Sequence, residues 1–146
     1  MLQLIKETKK HFIYEGEEFI IKIPKYYDGY CYAGNNYSDS NQFSTLIIEN
    51  KDNGKKSSQR YYQNDNEVID ELNKDINLLN EGRLGELQFK RPLLSVLYDN
   101  NKQYEFIDKN EEVVEGIFLG KSSYSNDFYI KVDNQKCSID DYRRVD

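Results

Sequence analysis

The chain has 146 residues, enough for one domain whose core needs no disulfide or metal staple. Its 20 Lys and Arg against 26 Asp and Glu give a net charge of -6 and a pI of about 4.9, which disfavours generic nucleic-acid binding and suits a basic partner. Hydrophobic residues are 38% of the chain and mean hydropathy is -0.87, so the core must be economical; 13 Tyr and 7 Phe, with no Trp, supply large side chains to fill it.

Cys31 and Cys137 lie far apart with no Cys-x-x-Cys spacing. Two cysteines cannot make a structural zinc site, and isolated thiols in a reducing compartment are the expectation. Met1-Leu2-Gln3-Leu4-Ile5-Lys6 lacks the apolar run of a secretion signal, and no stretch approaches membrane-spanning length. A cytoplasmic protein without membrane contact is expected, with no cofactor and no bound metal.

In chain order, His11-Phe12-Ile13-Tyr14, a Glu15-Gly16-Glu17 turn and Phe19-Ile20-Ile21-Lys22-Ile23 predict a hairpin, ended by Pro24 because it has no N–H to give to a ladder. The next stretch sets Tyr26, Tyr27, Tyr30, Tyr32 and Tyr37 among Asp28, Gly29, Gly34, Asn35 and Asn36. That mixture is poor strand and poor helix material. Residues 43–49 predict a strand, Asp52-Asn53-Gly54 a tight turn, and residues 55–62 a polar strand at a sheet edge. Beyond Asn64-Asp65-Asn66, any of which can cap free amides, Val68, Ile69, Leu72, Ile76 and Leu79 recur at helical spacing up to Gly82. One helix over about residues 67–81 follows, with Glu67, Asp70, Glu71, Lys74 and Asp75 on its solvated face.

From Leu93 a β meander is expected: strands over 93–98, 103–107 and 113–119, a loop at 120–127, a strand over 128–132, a turn at Asp133-Asn134-Gln135, and a short strand over 136–138. Ser138 then caps a single helical turn before Arg143-Arg144-Val145. This element order, centred on Val114-Glu115-Gly116-Ile117-Phe118, resembles small β-barrels of the Src-homology or Sm-like type over the last third of the chain. The resemblance implies a barrel-like fold and a binding habit. The expected class is α+β: an antiparallel N-terminal sheet, one amphipathic helix and a C-terminal small-barrel-like meander. A single compact domain over 1–146 is expected, with sheet and helix in 1–92 and the β subdomain in 93–146.

Chemical signatures are sparse. Gly116-Ile117-Phe118-Leu119-Gly120-Lys121-Ser122 has three residues between its glycines, where a phosphate-binding loop needs four and a following helix, so Gly120 reads as a turn residue. Asp28 with Glu49-Asn50-Lys51 has the spacing of a metal-dependent nuclease, but Glu49 to Gly54 also reads as a hairpin tip, and turn chemistry is the stronger account. His11, the only histidine, has no nucleophile context around Cys31 or any serine. Glu17-Glu18 and Glu111-Glu112 sit in turns, where solvation suffices. Lys55, Lys56, Arg60, Lys90-Arg91 and Arg143-Arg144 are local basic clusters, read mainly as edge protection. No catalytic residue is assigned.

Recognition is the better reading of the tyrosines. Rigid rings among small polar residues compose a contact surface, so Tyr26, Tyr27, Asp28, Tyr30, Tyr32, Tyr37 and Asp39 form the expected binding site, with Glu17 as a further acidic contact. Arg60, Tyr61, Tyr62, Lys121 and Tyr124 are secondary candidates. The short, acidic, Tyr-rich profile is similar to that of phage-encoded anti-CRISPR inhibitors. The similarity implies a non-enzymatic protein that occludes a basic, nucleic-acid-handling effector stoichiometrically. A nucleic-acid-binding small barrel and a metal-dependent nuclease using Asp28, Glu49 and Lys51 are the alternatives.

Overall fold

The structure of the chain, a computed structural model, describes residues 1–27, 29–32 and 40–145, with the side chains of 29–32, 40 and 41 outside that description. Over the described residues it is strand-rich α+β, with two antiparallel sheets and two α-helices. The chain divides into two compact units, Met1–Glu71 and Leu72–Asp146, and the boundary falls inside the first helix. No helix among the described residues is long and apolar enough to cross a membrane.

In the first unit, β1 (Gln3–Glu7), β2 (His11–Glu15), β3 (Phe19–Pro24) and β5 (Ser40–Asn50) pair in that order, while β4 (Gly29–Tyr32) and β6 (Lys56–Tyr61) both pair with β5. The predicted hairpin is β2 and β3, with Glu15 opposite Ile20 and His11 opposite Pro24. Alternation along β3 buries Phe19, Ile21 and Ile23, and β5 adds Leu46 and Ile48 to the same core. Residues 3–7, for which no element was predicted, form an edge strand, and Gly29–Tyr32 form β4 inside the stretch expected to be irregular. Pairing with residues 40–43 supplies the ladder that local composition alone does not favour.

The helix α1 (Asp65–Glu81) matches its prediction at both ends. Asn64 Oδ1 accepts from the Glu67 amide at 3.0 Å, and Asn64 Nδ2 donates to Glu67 Oε1 at 2.8 Å. At the other end Gly82 takes φ +78°, the Arg83 amide donates to Leu78 O and the Gly82 amide to Leu79 O, a Schellman closure. Asp75, expected on the solvated face, is instead buried and accepts from the amides of Gln88 and Phe89 at 3.1 and 2.8 Å.

Those amides lead into α2 (Lys90–Leu97), where a strand over 93–98 was predicted. An apolar run as short as Leu93 to Leu97 fits a buried helix as well as a strand, and Pro92 is tolerated in a first helical turn, where no intrahelical N–H is required. Lys90, nearly buried, pairs with Asp140 at 2.7 Å. A 3₁₀ turn at Leu84–Glu86 precedes α2.

The second sheet is ordered β10-β9-β8-β7-β11, from β7 (Gln103–Ile107), β8 (Val113–Lys121), β9 (Phe128–Val132), β10 (Gln135–Ser138) and β11 (Arg143–Arg144). From β7 onward it follows the predicted element order, without the strand expected over 93–98, and it is not closed. Asp133 and Asn134 both have positive φ, so a two-residue turn joins β9 to β10. Gly120, at φ +86°, sits at a register shift of β8 against β9, one residue before the strand ends. Ser138 Oγ caps the 3₁₀ turn Ile139–Asp141. Tyr98 stacks on Phe118 at 5.2 Å, and Phe106, Phe128 and Tyr142 extend the aromatic core of this unit.

Candidate functional site

Strand alternation gives the N-terminal sheet a second face, turned away from Ile21, Ile23 and Ile48. Register aligns one row of it across five strands: Lys6 opposite Ile13, Ile13 opposite Lys22, Lys22 opposite Ile47, and Ile47 opposite Ser58. The neighbouring row runs Glu15, Ile20, Glu49, Lys56, and on the other side His11 meets Pro24 while Thr45 meets Arg60. Cross-strand neighbours stand about 5 Å apart, so these side chains form one continuous surface.

At one end of this face lies a groove of about 340 Å³ lined by Lys9, Lys10, His11, Pro24, Tyr26 and Tyr27. The turn bearing the two lysines is pinned: the Thr8 amide donates to His11 O at 2.9 Å, the His11 amide to Thr8 Oγ1 at 3.0 Å, and the Lys25 amide to Lys10 O at 2.9 Å. Tyr26 and Tyr27 are 73% and 63% exposed. Ser44 Oγ, on the core side of β5 with Tyr61, donates to the Tyr26 carbonyl at 3.4 Å and ties this segment to β5. There the Arg60 guanidinium lies 4.3 Å over the Phe43 ring, and Tyr62, 52% exposed, meets that ring edge-on at 6.3 Å. By register His11 and Pro24 of the groove stand on the same side of the sheet as Thr45 and Arg60, so Arg60 and the groove that Tyr26 lines share one face although they are 34 residues apart in sequence.

The face is cationic although the chain is acidic. Its carboxylates are engaged: Glu15 with Lys51 at 2.5 Å and Glu49 with Lys56 at 3.5 Å. Lys25, which pairs with Glu7 at 2.5 Å and lies 5.1 Å over Phe12, belongs to the opposite side, since Glu7 and Phe12 align with Ile23. Lys6, Lys9, Lys10 and Lys22 form no ion pair among the described residues. Residues 1–63 hold nine Lys and Arg against eight Asp and Glu, whereas residues 64–146 hold eleven against eighteen. On the core side, burial and then the charge of Asp65 push the Tyr14 phenol up.

Of the sequence-predicted residues, Tyr26 and Tyr27 stand in the open, and Tyr30 and Tyr32 lie on β4 by their backbone. Asp28, Tyr37 and Asp39 lie outside the described residues. Arg60 and Tyr62 join the face, but Tyr61 turns inward, buried, with its hydroxyl donating to Asp65 at 3.2 Å; strand alternation makes it core. Lys121 is structural, its Nζ donating to the Ser122 and Ser125 carbonyls at 3.0 Å each and bracing the loop whose tip carries Tyr124, 99% exposed. For the nuclease alternative, the pairs Glu49–Lys56 and Lys51–Glu15 occupy both groups elsewhere. No three His, Cys, Asp or Glu converge on a metal position among the described residues.

Sequence reasoning passed over Lys9, Lys10, Lys22 and Phe43. A signal existed: continuing the predicted hairpin in register from Glu15 opposite Ile20 sets His11 against Pro24, beside Tyr26. The Phe43–Arg60 contact carried no such signal, since it depends on how β5 and β6 pair. Neither family models, nor curated proteins, nor solved structures match the chain.

Proposed function

We propose that this chain is a non-enzymatic binding protein that acts stoichiometrically on a macromolecular partner, and that the outer face of its N-terminal sheet is the contact surface. The observation that carries the reading is the exposure of Tyr26 and Tyr27 on a segment pinned to the turn before β2 through Lys25 and to β5 through Ser44. Large rings held open to solvent on a fixed backbone are what interface anchors require, because little ordering entropy remains to be lost on docking. The composition further supports an inhibitor of a bacterial defence nuclease, of the anti-CRISPR kind.

Binding by a small barrel is the second reading, favoured by the order β10-β9-β8-β7-β11 and by the braced Tyr124 loop. Capture of partner by immobilised protein separates the two. Tyr26→Ala with Tyr27→Ala should weaken capture by ~10²-fold, while Tyr124→Ala leaves it intact; the opposite ranking moves the surface to the second sheet. Titration should saturate at a fixed molar ratio, and an effect at trace, substoichiometric amounts would refute the non-enzymatic assignment.

A further inference from the structure

We infer that the outer face of the N-terminal sheet binds single-stranded nucleic acid, phosphates on Lys9, Lys10, Lys22 and Arg60 and bases against Tyr26, Tyr27 and Tyr62. This goes beyond the proposed function, with which it shares the sheet face and its exposed tyrosines but not the ligand.

Charge complementarity selects the ligand. The net charge of -6 argues against a polyanion only at long range. Exposed charges farther apart than about 8 Å are largely screened at physiological salt, so a bound strand responds to the cations it touches. On this face the two carboxylates, Glu15 and Glu49, are engaged by Lys51 and Lys56, which leaves the cation surplus unopposed among the described residues. Between the cations the surface is flat and apolar, with Ile13, Ile20 and Ile47 half-buried around Lys22. Phe43 holds the Arg60 guanidinium over its ring and fixes its position.

The tyrosines decide between polyanions. An acidic polypeptide would satisfy the lysines but presents few flat faces for three exposed rings. A duplex hides its base faces by stacking. Unpaired bases offer a π-face at every residue, and each base stacked on an aromatic ring contributes ~1–3 kcal/mol. The five-strand row spans about 19 Å, four inter-strand spacings, enough for a short unpaired segment.

Fluorescence anisotropy of a labelled single strand of about ten nucleotides, titrated with the full chain, tests this. With four phosphate contacts at a slope of about 0.7 each, raising salt from about 50 to about 200 mM weakens binding roughly fifty-fold. Lys22→Gln and Arg60→Gln should each lower the slope by about 0.7. Tyr26→Ala with Tyr27→Ala should cost roughly tenfold or more in affinity at unchanged slope, and Lys131→Gln, on the second sheet, should change nothing. Thermal melts of each variant separate loss of contact from loss of fold. Equal affinity for the duplex, preference for polyglutamate over the oligonucleotide, or no binding at about 100 μM chain in low salt overturns the inference. Oligonucleotide binding without tyrosine-dependent protein capture would instead strike the proposed function alone.

Discussion

Asp75 is 1% exposed and accepts two backbone amides, so its charge is solvated by peptide dipoles in place of water. Asp75→Ala strands both donors and should destabilise the chain by about 3 kcal/mol, read as a lower urea midpoint at unchanged m-value; a change under about 0.5 kcal/mol would mean water replaces the carboxylate. Tyr142 makes a prediction about pH. Burial first, then a hydrogen bond with Cys137 and the charges of Cys137, Asp141 and Asp108, push its phenol up to about 12 from the ordinary 10.0. The folded chain therefore keeps this proton where the unfolded chain releases it. The contribution to stability is complete below about pH 10 and is lost as pH rises through about 12. In Tyr142→Phe the alkaline fall in stability should be shallower, and ultraviolet titration should lose its latest phenolate step.

At the scale of elements, α1 shows how closely caps define a helix. Asn64 and Gly82 were recognisable as boundaries because each solves a backbone problem that few residues solve: free amides at one end, a left-handed residue at the other. A Cβ at position 82 would stand 2.5 Å from Arg143 Cβ, so Gly82→Ala meets both a strained φ and a collision. We expect a loss of at least ~1–2 kcal/mol, measured by thermal unfolding, where an ordinary surface glycine would show almost none. The second helix was misread for a physical reason. Leu93, Leu94 and Val96 are buried while Arg91, Ser95 and Leu97 are half-buried, and a run of eight residues is too short for that pattern to separate a helix from a strand. Its N-terminus is stabilised from outside by Asp75 of α1, 14 residues before Phe89.

Across the whole molecule, charge is distributed unevenly, and net charge conceals it. The cationic sheet face belongs to the half with nine bases against eight acids, while the rest of the chain carries the acidic excess. Stability and recognition should separate accordingly. Because Tyr26 and Tyr27 are exposed, the double alanine variant should stay within about 0.5 kcal/mol of the parent in urea unfolding while losing partner capture. A larger loss would place the rings in the core.

Local physics was sufficient for every element governed by local rules: the β2–β3 hairpin through alternation and Pro24, α1 through its caps, and the β9–β10 turn through residues that accept positive φ. It also marked Tyr26 and Tyr27 as large rings in a setting unable to bury all of them. What depended on distant partners was not legible. Gly29–Tyr32 became a strand only because residues 40–43 offered a ladder, and Asp75 became an internal acceptor only because α2 needed one. The cationic face is of this second kind: cross-strand pairing alone brought Lys22, Arg60 and Phe43 into line with the groove of Lys9, Lys10 and Tyr26, since hydrogen-bond register, unlike helix capping, is set between segments far apart in the chain.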